Sequence, residues 1–307
     1  MGTSPEVPTS ALSSQLARND SIDPMSFATT TRRYFHAHVW ARISALLSLP
    51  IAWLGVLYIG SLAALFITSI WRIDTFTSKV VREFTLSNFI DVLTDKAYFN
   101  VTVRTVGVAI AVTIICAVLA IPMAFFIARV AKPKSRPVLI ALVITPLWAS
   151  YLVKIYAWRT MMAPDSGFLN WLVSPLGLSS PGFGMLAVII GLSYLWLPYM
   201  VLPIYAGMEK LPDSIIDASA DLGAKPGRTF LKIILPITWP AIIAGSLFTF
   251  SLSLGDYITV QILGGTFQML GNVVYQNFAL NLPFAAAVAL IPVIVMIVYL
   301  ASVRKTG

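Results

Sequence analysis

Apolar and polar positions alternate along this chain on a long scale. Six strongly apolar stretches, at about 44–70, 100–128, 138–158, 185–207, 239–262 and 282–303, are separated by more polar segments. Each reaches the ~20 residues that a helix needs to cross the hydrocarbon core of a bilayer. The strands of a membrane barrel would instead give alternating segments of about 10 residues. Backbone groups in lipid have to be satisfied internally, so helices remain. The pattern predicts an all-α polytopic membrane protein with six transmembrane helices. It also predicts a flexible polar tail over 1–43, a membrane domain over 44–307 and a polar loop over 209–236, between the fourth and fifth spans.

Composition agrees with this reading: 58% of residues are hydrophobic and 11% charged, against about 25% charged in soluble domains. The net charge of +8 does not point to nucleic acid, because the basic residues gather in alternate loops. Arg18, Arg32, Arg33 and Arg42 precede the first span, and Arg129, Lys132, Lys134 and Arg136 follow the second. Lys210, Lys225, Arg228 and Lys232 lie between the fourth and fifth, and Arg304 and Lys305 after the sixth. The positive-inside rule makes that side cytoplasmic, with both termini there. In the first opposite loop, charges from Arg72 to Lys96 nearly cancel. The tail is rich in Ser and Thr, lacks the apolar core of a signal peptide, and has room for a short interfacial helix over 34–40. Cys116 is the single cysteine; it stands in an apolar run and reads as a small core residue.

Pro122, Pro146, Pro198, Pro203 and Pro292 fall inside expected spans. Proline removes a helix hydrogen bond and bends the axis. Such helices suit a cavity wall that changes shape, although proline is also simply frequent in membrane helices.

The polar loop carries the most specific signal. Asp213 is positioned to cap a short helix, and Gly223 offers the left-handed residue that ends one. Pro226-Gly227 is expected to keep the helix from resuming, and a second helical stretch begins near Arg228 and re-enters the membrane at Ile233-Ile234-Leu235-Pro236. Small residues, Ala218, Ser219 and Ala220, permit close approach by a partner. The pattern Asp217-Ala218-Ser219-Ala220-Asp221-Leu222-Gly223, followed by Ile-x-Leu-Pro, resembles the cytoplasmic signature of permease subunits of binding-protein-dependent ABC importers. Asp217 stands where Glu is usual there, and Ser219 where Ala is usual. The resemblance implies that this element is a coupling helix seated on an ATPase subunit, with Asp217, Ala218, Ser219, Ala220, Asp221, Gly223, Ala224 and Pro236 as the ATPase-coupling residues.

More of the chain, from about 100 to 303, agrees. The runs Trp148 to Trp158, Trp196 to Pro203 and Leu254-Gly255-Asp256-Tyr257 are similar to segments of the spermidine/putrescine permease branch. The resemblance implies a subunit in the bacterial inner membrane that imports a polyamine by alternating access. Its implied partners are an ABC ATPase dimer, a second homologous permease and a periplasmic or lipid-anchored solute-binding protein, besides membrane lipid and without nucleic acid. ATP and Mg belong to the ATPase, so no cofactor and no metal is expected on this chain. Related importers carry other small organic cations, amino-acid derivatives, phosphonates or iron.

Asp256 is an ionisable group in an otherwise apolar or hydroxylic span, a placement that costs about 2.5–3.5 kcal/mol at mid-helix on insertion scales. Beside Tyr257 it can bind an ammonium group by charge and cation–π contact. A structural pair with Arg104 or Lys154, or a wet interfacial position, are the alternatives. Trp148, Tyr151 and Trp196 are the aromatic candidates for the substrate pathway, whereas Tyr156 and Trp158 suit an aromatic belt. Asp165, Ser166 and Gly167 either face an external binding protein or form a turn.

Other classes fit less well. No Gly-x-x-x-x-Gly-Lys-Ser/Thr phosphate loop is present, so energy has to come from another subunit. A secondary transporter usually shows internal repeats, and none is evident. A membrane enzyme needs a reactive constellation, but the two histidines, His36 and His38, both lie in the tail.

Overall fold

The computed structural model describes residues 39–304 apart from 75, 76 and 78. The tail with its two histidines, including most of the helix expected over 34–40, lies outside them. The chain divides into two compact units, Met1–Ala63 and Ala64–Gly307. The first contributes most of helix α1 (Val39–Ser69). The second holds every other element named below.

After α1 a small antiparallel hairpin pairs β1 (Arg72–Ile73) with β2 (Val80–Val81), Arg72 opposite Val81. Helix α2 (Ser87–Thr94) follows. Asn88 ties it back, donating its side-chain amide to the carbonyls of Ser69 and Trp71 at 2.9 and 2.7 Å. Helix α3 (Lys96–Phe125) begins at Asp95, whose carboxylate accepts from the Ala97 N–H at 2.8 Å. It runs without interruption into a π turn, Phe126–Val130.

The third apolar stretch departs from expectation. A continuous helix over 138–158 was expected; the chain forms α4 (Arg136–Trp148) and α5 (Tyr151–Met162), bent by 91° at Ala149-Ser150. Both break residues are extended. Pro146 removes a backbone donor in the last turn of α4, and Ser150 suits the position that precedes a helix. Apolar continuity hides such a break because both halves are apolar.

Helix α6 (Phe168–Val173) and a 3₁₀ turn lead to α7 (Met185–Glu209), the fourth span. Helix α8 (Asp213–Asp221) and a short α9 (Pro226–Thr229) follow. From α9 the backbone passes through a second π turn, Phe230–Ile234, into α10 (Leu235–Leu254). The fifth span therefore starts at Pro226 and stops at Leu254 instead of covering 239–262. Its expected end is a separate helix, α11 (Ile258–Leu263), beyond a break at Gly255-Asp256-Tyr257. Helices α12 (Leu270–Asn277) and α13 (Leu282–Arg304) complete the described chain. Among the described residues five helices are long and apolar enough to cross a membrane, and six if the bent α4–α5 pair is one span.

The core of the second unit lies where α3, α7 and α10 meet. Val108, Val112, Cys116, Ala120 and Ala124 form one buried stripe along α3 at four-residue spacing. Lipid tails supply no hydrophobic drive between helices, so close contact through small residues has to supply the attraction. The Cys116 thiol donates to the Ser193 carbonyl at 3.4 Å across that seam. On α10, a Cβ at Gly245 would stand 3.1 Å from the Met200 carbonyl oxygen and 2.7 Å from its sulfur, so glycine lets α10 close on α7.

Candidate functional site

Two places bring the candidate residues together. The first is the loop between α7 and α10. Pro212, extended, precedes α8, and Gly223 ends it with φ +75°. A left-handed residue of this kind turns the chain and satisfies the last carbonyls of a helix: the Gly223 and Ala224 N–H groups donate to Ala220 and Ser219 carbonyls at 2.8 and 3.1 Å. Asp213 does not cap the helix as expected. It is the first helical residue, and its carboxylate accepts from the Arg129 guanidinium at 2.5 Å. The helix also resumes earlier than expected, with Pro226 as its first residue, where the missing N–H costs nothing.

The exposed side of α8 carries Asp217, Ala218, Ala220 and Asp221, and Leu222 projects beside them with 88% of its surface open. Ser219 is not on that face. It is buried, and its hydroxyl shares a 2.8 Å hydrogen bond with that of Thr229. That bond ties α8 to the start of the fifth span. Ala224 is half-buried in the elbow and Pro236 is exposed in the first turn of α10. Arg129 and Thr229 escaped sequence reading, Arg129 because it counted only as one of several loop charges.

The second place is a cavity of about 360 Å³ where the two helix breaks meet. Asp256 lies between α10 and α11, so it is not in the middle of a helix as expected. Tyr151 opens α5 immediately after the other break. The Tyr151 hydroxyl donates to the Asp256 carboxylate. Thr259 donates to it twice, from its N–H at 2.8 Å and its hydroxyl at 3.0 Å. Neither Arg104 nor Lys154 forms an ion pair with Asp256; the Arg104 guanidinium lies over the Phe267 ring at 5.4 Å. Asp256 is 7% exposed and is held by neutral donors alone among the described residues. A buried carboxylate with neutral donors keeps an unanswered charge.

Tyr151, Trp196, Ser251, Gly255, Asp256 and Tyr257 line this cavity with two further apolar residues. The Trp196 ring centroid is 6.2 Å from that of Tyr151, and Tyr257 stacks on Tyr275 at 4.9 Å. The Trp196 indole nitrogen is buried and has no hydrogen-bond partner. A carboxylate between aromatic faces can hold an ammonium group. Trp148 stands apart, 84% exposed at the end of α4 and outside the cavity lining. Tyr156 is exposed, while Trp158 packs on Tyr194 at 5.3 Å. Asp165 and Ser166 form an exposed turn before α6.

These features define a multi-pass helical membrane protein with broken helices around a cavity that holds one buried carboxylate, and an exposed short helix joining two spans. The chain belongs to the binding-protein-dependent transport system inner membrane component family, whose profile matches residues 117–305. It is 42% identical over 278 residues to the inner membrane ABC transporter permease protein YdcU of Escherichia coli strain K12, covering 84% of this chain and 87% of that protein. It is 38% identical over 221 residues to the spermidine/putrescine transport system permease protein PotB of the same strain, covering 69% and 79%. Among solved structures, a bacterial alginate ABC transporter in complex with an alginate pentasaccharide-bound periplasmic protein aligns with a TM-score of 0.68 at 15% identity. That match covers 84% of this chain and 90% of the other. The MetNI methionine ABC transporter, in inward-facing form, aligns at 0.54 with 16% identity, covering 69% and 97%. Both structures share the fold.

Proposed function

We propose that this chain is the permease subunit of an ATP-driven importer that moves a polyamine, putrescine or spermidine, across the bacterial inner membrane. Helix α8 is the coupling helix. It lies on the cytoplasmic side with both termini, in keeping with the basic loops on that side, and seats on a separate ATPase subunit that binds ATP and Mg. A second permease subunit and an external solute-binding protein complete the importer. ATP binding draws the coupling helices together, and the spans alternate between inward and outward access. The observation that carries this reading is α8 itself: a nine-residue helix followed by a left-handed glycine, presenting Asp217, Ala218, Ala220 and Asp221 to solvent.

The polyamine assignment is supported by the names of the relatives and by the chemistry of the cavity. Asp256 supplies a desolvated negative charge, and Trp196 and Tyr257 supply aromatic faces for an alkyl-ammonium chain. Asp256 itself is buried, so charge attraction to it is stronger than at a surface.

Uptake of labelled putrescine and spermidine by cells with this gene intact, deleted and restored tests the reading. Gene-dependent, ATP-dependent uptake is expected. Equal uptake in deleted and intact cells would contradict the polyamine assignment.

A further inference from the structure

The Arg129 fork binds three successive segments at once. It stands in the π turn that ends α3. One terminal nitrogen donates to the Asp213 carboxylate at 2.5 Å, and the other to the Met208 and Leu211 carbonyls, each at 2.5 Å. Met208 is in the last turn of α7, Leu211 lies in the link, and Asp213 is the first residue of α8. The Arg129 side chain is only 12% exposed, whereas that of Asp213 is 85% exposed.

An exposed ion pair alone holds little. Here the two carbonyls fix the guanidinium first. They lie at the negative end of the α7 dipole, where a cation is favoured. The planar fork serves the carboxylate and the carbonyls from two nitrogens at a fixed spacing, whereas a lysine has a single ammonium. The π turn adds a residue to the last turn of α3 and changes where that side chain points; its closing bond runs from the Ala131 N–H to the Phe126 carbonyl at 2.8 Å. The Arg129 Nε is buried without a partner, a cost carried to keep the fork in this place. At the other end of α8, the Ser219–Thr229 bond fastens it to the fifth span.

We propose that Arg129 is a strut that makes α8 and the ends of α3 and α7 move as one piece, so that force applied to α8 reaches the second span as well as the fourth and fifth. The proposal rests on the coupling-helix reading above. Asp213 and Arg129 are positioning residues: they hold the helix that meets the partner and need not touch the partner themselves.

The test is the assembled importer in proteoliposomes, with labelled putrescine as probe and the ratio of putrescine moved per ATP hydrolysed as readout. Asp213→Ala changes an exposed side chain, so the complex is expected in intact yield while the ratio falls about fivefold, the low end of ordinary coupling energies. Asp213→Glu restores most of the ratio. Arg129→Lys lowers it at least as far as Asp213→Ala, since one ammonium replaces the fork. An unchanged ratio in Asp213→Ala would overturn the strut, as would an Arg129→Lys complex of low yield but intact ratio. Failure of the intact complex to link ATP hydrolysis to uptake is a different result, and would overturn the coupling reading itself.

Discussion

The Tyr151 hydroxyl donates to the Asp256 carboxylate, a bond between the two places where spans break. Tyr151 opens the second half of the bent α4–α5 pair, and Asp256 sits in the gap between α10 and α11. Thr259 completes the shell with a 2.6 Å contact to the same hydroxyl. Among the described residues these donors are all neutral, and no ion pair answers the carboxylate.

Asp256→Asn keeps the shape and removes the charge. Its expected effect is a loss of putrescine uptake of about tenfold or more, since a charge-assisted contact contributes roughly 1.5–3 kcal/mol. Assembly, followed by co-purification with the ATPase, is expected to persist. Unchanged initial uptake rates would make Asp256 structural.

Tyr151→Phe retains the ring beside Trp196 but takes one donor from Asp256. Thr259 still supplies two bonds, so a stability loss of about 1–2 kcal/mol is expected, read as a lower thermal midpoint in detergent. Uptake is expected to fall less than in Asp256→Asn, because the charge remains.

Gly223 has open space around its missing side chain but a φ of +75°. Gly223→Ala is therefore expected to cost only about 1–2 kcal/mol, the penalty of a left-handed residue. Gly223→Glu adds a long charged side chain to the exposed elbow and is expected to leave the chain inserted but uncoupled from ATP hydrolysis. Normal uptake by Gly223→Glu would defeat the docking argument.

Gly245→Ala tests the α7–α10 seam. The new methyl meets the Met200 backbone, which cannot turn aside, and overpacking of this kind costs roughly 1–3 kcal/mol. A lower thermal midpoint of the detergent-solubilised protein is expected.

Much of this architecture was legible in the sequence because lipid imposes one rule on every span. The starts of the fourth and sixth spans, at Met185 and Leu282, fell where expected. So did the short helix closed by Gly223, because proline and glycine punctuate it. The breaks were not legible. Ala149-Ser150 and Gly255-Asp256 lie in apolar or small-residue surroundings that read as continuous helix, and what stops each helix is local backbone geometry. The same limit hid the role of Arg129: its partners are two carbonyls and a carboxylate 79 to 84 residues away, and no periodicity reports such a contact. Ser219 read as part of a contact face because small residues suit one, whereas its hydroxyl faces inward to Thr229. Tyr151, Trp196, Asp256 and Tyr257 came together as a group, while Trp148 fell outside because the 91° bend carries it away.

The most direct test of the account is cross-linking from the exposed face of α8. An Ala220→Cys variant, with the native Cys116 thiol buried, places one accessible thiol on that face for a short bifunctional reagent. The account predicts a cross-link to the ATPase subunit in transport-competent membranes, with a yield that changes when ATP is bound. Intact uptake with no cross-link in any nucleotide state would contradict it.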